Sequence, residues 1–171
     1  MQTMRIGAVI AAMGVAAIIS TAVLAQDNAA REARDRAEIE ALKWRYTRAL
    51  DTGDGTAYAA TYTADGQFSA GGNPTRGREA LEKMVDAIGA QQAAAKAKGE
   101  PSAPMYHMET NTWIEFIDAN HARYHAYYLT AFGAAGEKVP LRVAAVGRSV
   151  DQLERVNGRW LIKVRDVAPR E

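Results

Sequence analysis

Lys43-Trp44-Arg45-Tyr46-Thr47-Arg48-Ala49-Leu50-Asp51-Thr52-Gly53-Asp54 is the stretch whose reading decides the fold. Ile39, Leu42, Tyr46, Ala49 and Leu50 recur at helical spacing, so the Tyr46 phenol lies on an inward-facing stripe. Gly53 supplies the helix stop. Asp51 therefore falls in the last turn, where a carboxylate faces the negative end of the helix dipole at a typical cost of about 0.3–1 kcal/mol. An acid placed against its local electrostatics needs a reason from elsewhere in the chain. Inward-facing Tyr46 and Asp51 together make one wall of a cavity.

Upstream, the helix is expected to begin near Ala30 with a charged face through Arg31, Glu32, Arg34, Asp35, Arg36 and Glu38. Downstream, Asp54 is placed to cap a second, short helix through Thr56, Ala59 and Tyr62. Asp65-Gly66 reads as a turn into a short strand at residues 67–70. The glycine-rich loop at residues 71–77 lacks a phosphate-binding pattern. A third helix starts near Arg78 and buries Leu81, Met84, Val85 and Ile88, which read as core and not as a cofactor box. Residues 91–98 continue it with little to bury, and residues 99–104 end it. The 91–104 region reads equally as a lid and as an inert solvated extension.

From Tyr106 the pattern turns strand-like. Strands are expected at residues 106–116, 122–132, 143–156 and 159–167, joined by turns at Asp118-Ala119-Asn120-His121 and Asn157-Gly158 and by a loop at residues 133–138. Three helical segments followed by an antiparallel meander specify an α+β fold.

His107, in Met105-Tyr106-His107-Met108-Glu109-Thr110-Asn111, and Arg165, in the last strand, complete a constellation with Tyr46 and Asp51. In that order and spacing the chain resembles the SnoaL-like family of the nuclear-transport-factor-two-like superfamily. Hexachlorocyclohexane dehydrochlorinase, bile-acid 7-alpha-dehydratase and scytalone dehydratase are members. The resemblance spans about residues 34–167. It implies a cone-shaped, curved antiparallel sheet wrapped around helices, a pocket for a small molecule, catalysis without a cofactor, and self-association as a homodimer or small oligomer. It also implies catalytic roles for Asp51, His107, Arg165 and Tyr46.

The chemistry suits those residue types. A neutral imidazole accepts a proton near physiological pH. A carboxylate on its other nitrogen fixes the tautomer and stabilises the imidazolium that forms. An arginine stabilises a leaving group or oxyanion, and a buried phenol donates a hydrogen bond. The implied reaction is proton abstraction coupled to elimination or isomerisation of a small cyclic, aromatic or polycyclic substrate. Asn111, His125 and Tyr127 are further pocket candidates; His125 and Tyr127 share a strand face by alternation. The competing reading of His125 and Tyr127 is packing or interface. The competing reading of the whole domain is a non-catalytic ligand-binding or interaction protein, because one fold hosts many functions.

The 171 residues suit one domain after a leader. Residues 1–25 carry a single charge, Arg5, and an apolar run ending in Val23-Leu24-Ala25, which reads as a signal peptide cleaved before Gln26. An uncleaved anchor is the alternative. The expected product is a periplasmic or secreted domain over residues 26–171 without stable membrane association. The chain has no cysteine, which excludes disulfides, thiolate catalysis and thiolate metal sites. His121 and His125 are four residues apart, but no acidic cluster accompanies them, so no metal is expected. A formal charge of +1 without a basic run argues against a nucleic-acid partner.

Overall fold

The computed structural model describes residues 4–134 and 139–169, with side chains from residue 26 onward. The side chains that carry the signal-peptide reading of residues 1–25, and residues 135–138 of the expected loop, lie outside the described residues. Among the described residues no helix is long and apolar enough to cross a membrane. The chain divides into two compact units, Met1–Glu38 and Ile39–Glu171.

Helix α1 runs Met4–Thr52, so it begins well before the expected start near Ala30. Residues 26–30, Gln-Asp-Asn-Ala-Ala, contain neither glycine nor proline, and nothing in them stops a helix. Within the first unit Arg36 pairs with Glu32 one turn earlier at 2.5 Å, an exposed contact worth a few tenths of a kcal/mol.

The second unit contains the end of α1, then α2 (Gly55–Ala60), β1 (Tyr62–Ser69), β2 (Thr75–Arg76), α3 (Arg78–Ala97), β3 (Met105–Phe116), β4 (His121–Phe132), β5 (Arg142–Val156) and β6 (Arg159–Asp166). The six strands form one sheet in the order β2-β1-β6-β5-β4-β3. All neighbours are antiparallel except β1 and β6, which run parallel. The long hairpins follow the sequence pattern. Asn157 and Gly158 take φ of 51° and 78°, the left-handed pair that a tight turn between twisted strands requires.

The expected second helix is shorter than the sequence suggested. Thr61 ends it, its hydroxyl donating to the Tyr58 carbonyl at 2.6 Å, while its own carbonyl accepts the Ile162 N–H at 2.9 Å. That contact recruits Tyr62 into β1 alongside β6, and Asp65-Gly66 becomes an irregularity inside the strand instead of a turn before it. Asp54 caps α2 as expected, accepting the Ala57 N–H at 2.9 Å.

The end of α1 meets α3 at two glycines. A Cβ on Gly53, whose φ is +68°, would lie 2.4 Å from the Gly89 Cα. The helices can touch there only because neither residue has a side chain. Leu81 and Val85 of α3 are buried, and Met84 and Ile88 pack beside them. The core joins these to Ile39, Leu42, Tyr46, Ala49 and Leu50 of α1 and to the inner face of the sheet.

A bulge in β3 sets which residues reach that inner face. The β3–β4 register shifts between Thr110 and Trp113, and Asn111 takes φ of 50°. Met105, His107 and Glu109 therefore alternate inward before the bulge, and Ile114 and Phe116 after it.

Candidate functional site

Asp51 accepts two hydrogen bonds from one residue. Its carboxylate lies 3.0 Å from the His107 backbone N–H and 2.7 Å from the ring Nδ1. The helix-end acid thus latches α1 to β3, and the favourable pair offsets its position at the negative end of the dipole. With Asp51 accepting at Nδ1, the neutral ring carries its hydrogen there and leaves Nε2 as an acceptor. His107 Nε2 has no hydrogen-bond partner among the described residues. The pair is mostly but not wholly buried, with 17% of the His107 side chain and 11% of the Asp51 side chain exposed.

Behind this dyad, on the same face of β3, lies a group of buried charges. Asp151 on β5 is inaccessible and accepts from Lys43 Nζ at 2.5 Å and from Arg165 Nη1 at 2.8 Å. Glu109 on β3 completes the set, 2.7 Å from Arg165 Nη2 and 3.2 Å from Lys43 Nζ. Two cations and two anions balance, which is what makes such deep burial tolerable. The Tyr46 ring faces both cations, at 4.5 Å from each.

Tyr58 and Tyr62 extend the wall, with ring centroids 5.1 and 6.2 Å from Tyr46 and their two hydroxyls 2.9 Å apart. Burial raises the pKa of all three phenols above the usual tyrosine value, so they stay protonated and can donate. Burial, then the Arg165 charge, lowers the Lys43 pKa, with Asp151 and Glu109 opposing. Arg165 is held firmly charged: burial works against the charge, but the Asp151 and Glu109 carboxylates help outweigh it.

The four expected catalytic residues fall into two contacting pairs, Asp51 with His107 and Tyr46 with Arg165. Both η nitrogens of Arg165 face Asp151 and Glu109, and its Nε is buried without a hydrogen bond. The other pocket candidates lie elsewhere. Asn111 is exposed in the bulge. Alternation along β4 puts Ala122, Tyr124, Ala126, Tyr128 and Thr130 inward, and so sends His125 and Tyr127 to the outer face. There His125 stacks on Trp113 at 5.0 Å and Tyr127 is 53% exposed. Tyr128 takes the inward place instead; its ring lies across Gly147, where a Cβ would come within 2.8 Å of its hydroxyl. Among the described residues no three His, Asp or Glu side chains gather as metal ligands.

Lys43, Glu109 and Asp151 were missed in the sequence, although each carried a signal. Lys43 lies four residues after Ile39 on the apolar stripe. Glu109 is two residues after His107, and Asp151 alternates with Ser149 and Leu153.

An α+β sheet with a carboxylate–imidazole pair at a helix end and ionised groups buried behind it narrows the class considerably. A family profile described as a SnoaL-like domain matches residues 31–166, and the chain belongs to that family. No curated protein matches the chain. Among solved structures, a nuclear-transport-factor-two-like protein with a cystatin-like fold from Novosphingobium aromaticivorans is similar with TM-score 0.66 and 21% identity, over 81% of this chain and 84% of that one. A candidate scytalone dehydratase from the same organism gives 0.64 and 22%, over 81% and 85%. A protein from Catenulispora acidiphila solved in complex with S-DNPA gives 0.62 and 26%, over 78% and 91%. The fold is nuclear-transport-factor-two-like.

Proposed function

We propose that this chain is a cofactor-independent lyase or isomerase that removes a proton from a small cyclic, aromatic or polycyclic substrate. The observation that carries the proposal is the 2.7 Å contact between Asp51 and His107 Nδ1, with Nε2 unpartnered. Nε2 takes the proton from carbon, and Asp51 stabilises the imidazolium. The carbon's electron pair then forms a double bond as a leaving group departs from the next carbon. In an isomerisation, the proton returns at a different carbon. The protonated Tyr46, Tyr58 and Tyr62 supply hydroxyl donors for developing negative charge. The candidate scytalone dehydratase among the structural neighbours is consistent with this reaction class through its fold.

The test is a screen of cyclic compounds that carry an acidic C–H beside a leaving group or double bond, read by mass spectrometry and NMR. His107→Gln is expected to retain binding and lose about 100-fold to 10,000-fold in turnover, and Asp51→Asn to lose turnover as well. Turnover untouched by both substitutions would overturn the proposal. The neighbour solved with S-DNPA keeps a binding-only reading in view; saturable binding without any product would establish it.

Export and self-association belong to the same proposal. Mature protein should begin near Gln26 by intact mass; retention of Met1 in a membrane fraction would establish an anchor instead. The outer face of β3, β4 and β5 exposes Met108, Trp113, Tyr127 and Val146, an apolar surface of the kind that subunits bury. Light scattering should find a dimer or small oligomer that Val146→Glu weakens, and a monomer at micromolar concentration would count against it.

A further inference from the structure

A cavity at the end of α1 shares no residue with the Asp51–His107 pair. It is a groove of roughly 320 Å³ between the last turns of α1, α2 and the start of β6. Leu42, Ala49, Ala57 and Leu161 line its apolar part. Trp44 stands at its edge with 67% of its surface exposed, an unusual place for an indole that nothing covers.

Three arginines border this groove: Arg45 and Arg48 from α1 and Arg159 from β6. All three are exposed, and none has an ion pair or side-chain hydrogen bond with another described residue. Elsewhere in this unit Lys83 pairs with Glu79 and Arg123 with Glu115, whereas these three arginines border a groove. The groove's acid, Asp54, is occupied in capping α2 through the Ala57 N–H. Three positive charges against one engaged carboxylate leave the site electropositive, in a chain whose formal charge is only +1.

We propose that this groove binds a small organic anion with a flat apolar body, an aromatic carboxylate being the best match. The apolar floor and the Trp44 indole take the ring, and the arginines take the carboxylate, whose two oxygens suit the forked guanidinium donors. The volume is at the lower end of small-molecule sites, which suits one fused bicyclic ring better than a peptide or a lipid chain.

The probe is 2-naphthoate, with its neutral amide as control, titrated into the full-length chain and followed by amide chemical shifts and isothermal calorimetry. Saturable binding is expected, with shifts confined to Trp44, Arg48, Ala57 and Leu161 and their neighbours. The neutral amide should bind at least about tenfold more weakly. The Arg45→Gln, Arg48→Gln double variant should weaken 2-naphthoate by about tenfold or more while leaving the melting temperature unchanged. Ala57→Trp, at an exposed helix position, should block the groove sterically. Equal binding of naphthoate and amide, shifts that centre on His107 or on the outer sheet face, or no saturation at millimolar probe would each overturn the proposal. So would loss of self-association in the arginine variant, since the groove would then belong to an interface between copies.

Discussion

Asp151→Asn removes one negative charge from the buried cluster and leaves the shape of the side chain almost unchanged. In the native protein this inaccessible carboxylate accepts from Lys43 Nζ and from Arg165 Nη1 through both oxygens. The amide that replaces it can accept at one oxygen only, and its NH₂ group would point a donor at a cation. The cluster changes from two cations against two anions to two against one. Breaking a buried pair by removing one partner costs about 3–5 kcal/mol, because the remaining charge stays desolvated. Against a total stability of about 5–15 kcal/mol that is a large fraction. It corresponds to a fall of roughly 2 M in the urea midpoint at a slope of about 2 kcal/mol per molar.

Lys43 determines the pH dependence. Its pKa already lies below the usual lysine value because of burial and Arg165, and Asp151 is a main opposing influence. In Asp151→Asn the pKa falls further, so the folded state binds fewer protons than the unfolded state. Stability of the variant then rises with pH up to the ordinary lysine value, and its deficit is larger at pH 6 than at pH 9. Adding Lys43→Met should recover more than half of the loss, since the cluster becomes neutral again through Arg165 and Glu109. Urea unfolding by circular dichroism checks all three statements. A loss below about 1 kcal/mol for Asp151→Asn, or a double variant no better than the single, would refute the reasoning.

Two further outcomes follow from the packing. Tyr46, Tyr58, Tyr62 and Tyr124 all have pKa values raised by burial, so their folding contribution is present below the unfolded tyrosine value near 10 and lost as pH rises above it. The melting temperature should fall above about pH 10, despite the opposite trend of Lys43 alone, and four of the seven phenols should ionise only with unfolding when absorbance at about 295 nm is followed. Gly53→Ala should destabilise by at least about 2 kcal/mol in a denaturant titration, because the left-handed φ penalises a side chain and the added methyl meets Gly89; a change under about 0.5 kcal/mol would mean the helix contact is loose.

The sequence made the local elements legible where one signal dominated. Gly53, Asp54 and Asn157-Gly158 each carry turn or cap chemistry that nothing else in the fold opposes. The helix-end position marked Asp51 as electrostatically out of place, while the family resemblance supplied His107 as its partner. Non-local effects were not legible. Tyr62 continues a helical pattern locally, yet pairing with Ile162, a hundred residues later in the chain, draws it into β1. His125 and Tyr127 alternate correctly, but alternation does not say which face is inward. The inward side follows from Tyr124 and Ala126 being buried, whereas the bulge at Asn111 reverses the phase within β3 itself. The ion cluster was hidden for a related reason: Lys43, Glu109 and Asp151 come from three separate elements, and each alone resembles a surface charge until the sheet brings them together.

The central claim is that Asp51 holds His107 with Nδ1 protonated and Nε2 free to accept a proton. It is tested most directly by the imidazole ¹⁵N shifts of His107, resolved from His121 and His125 by single substitutions and recorded on the neutral ring. A neutral ring with its hydrogen on Nδ1, switching to the other tautomer in Asp51→Asn, is the predicted result. A hydrogen on Nε2 in the native protein, or a tautomer indifferent to Asp51, would contradict the account.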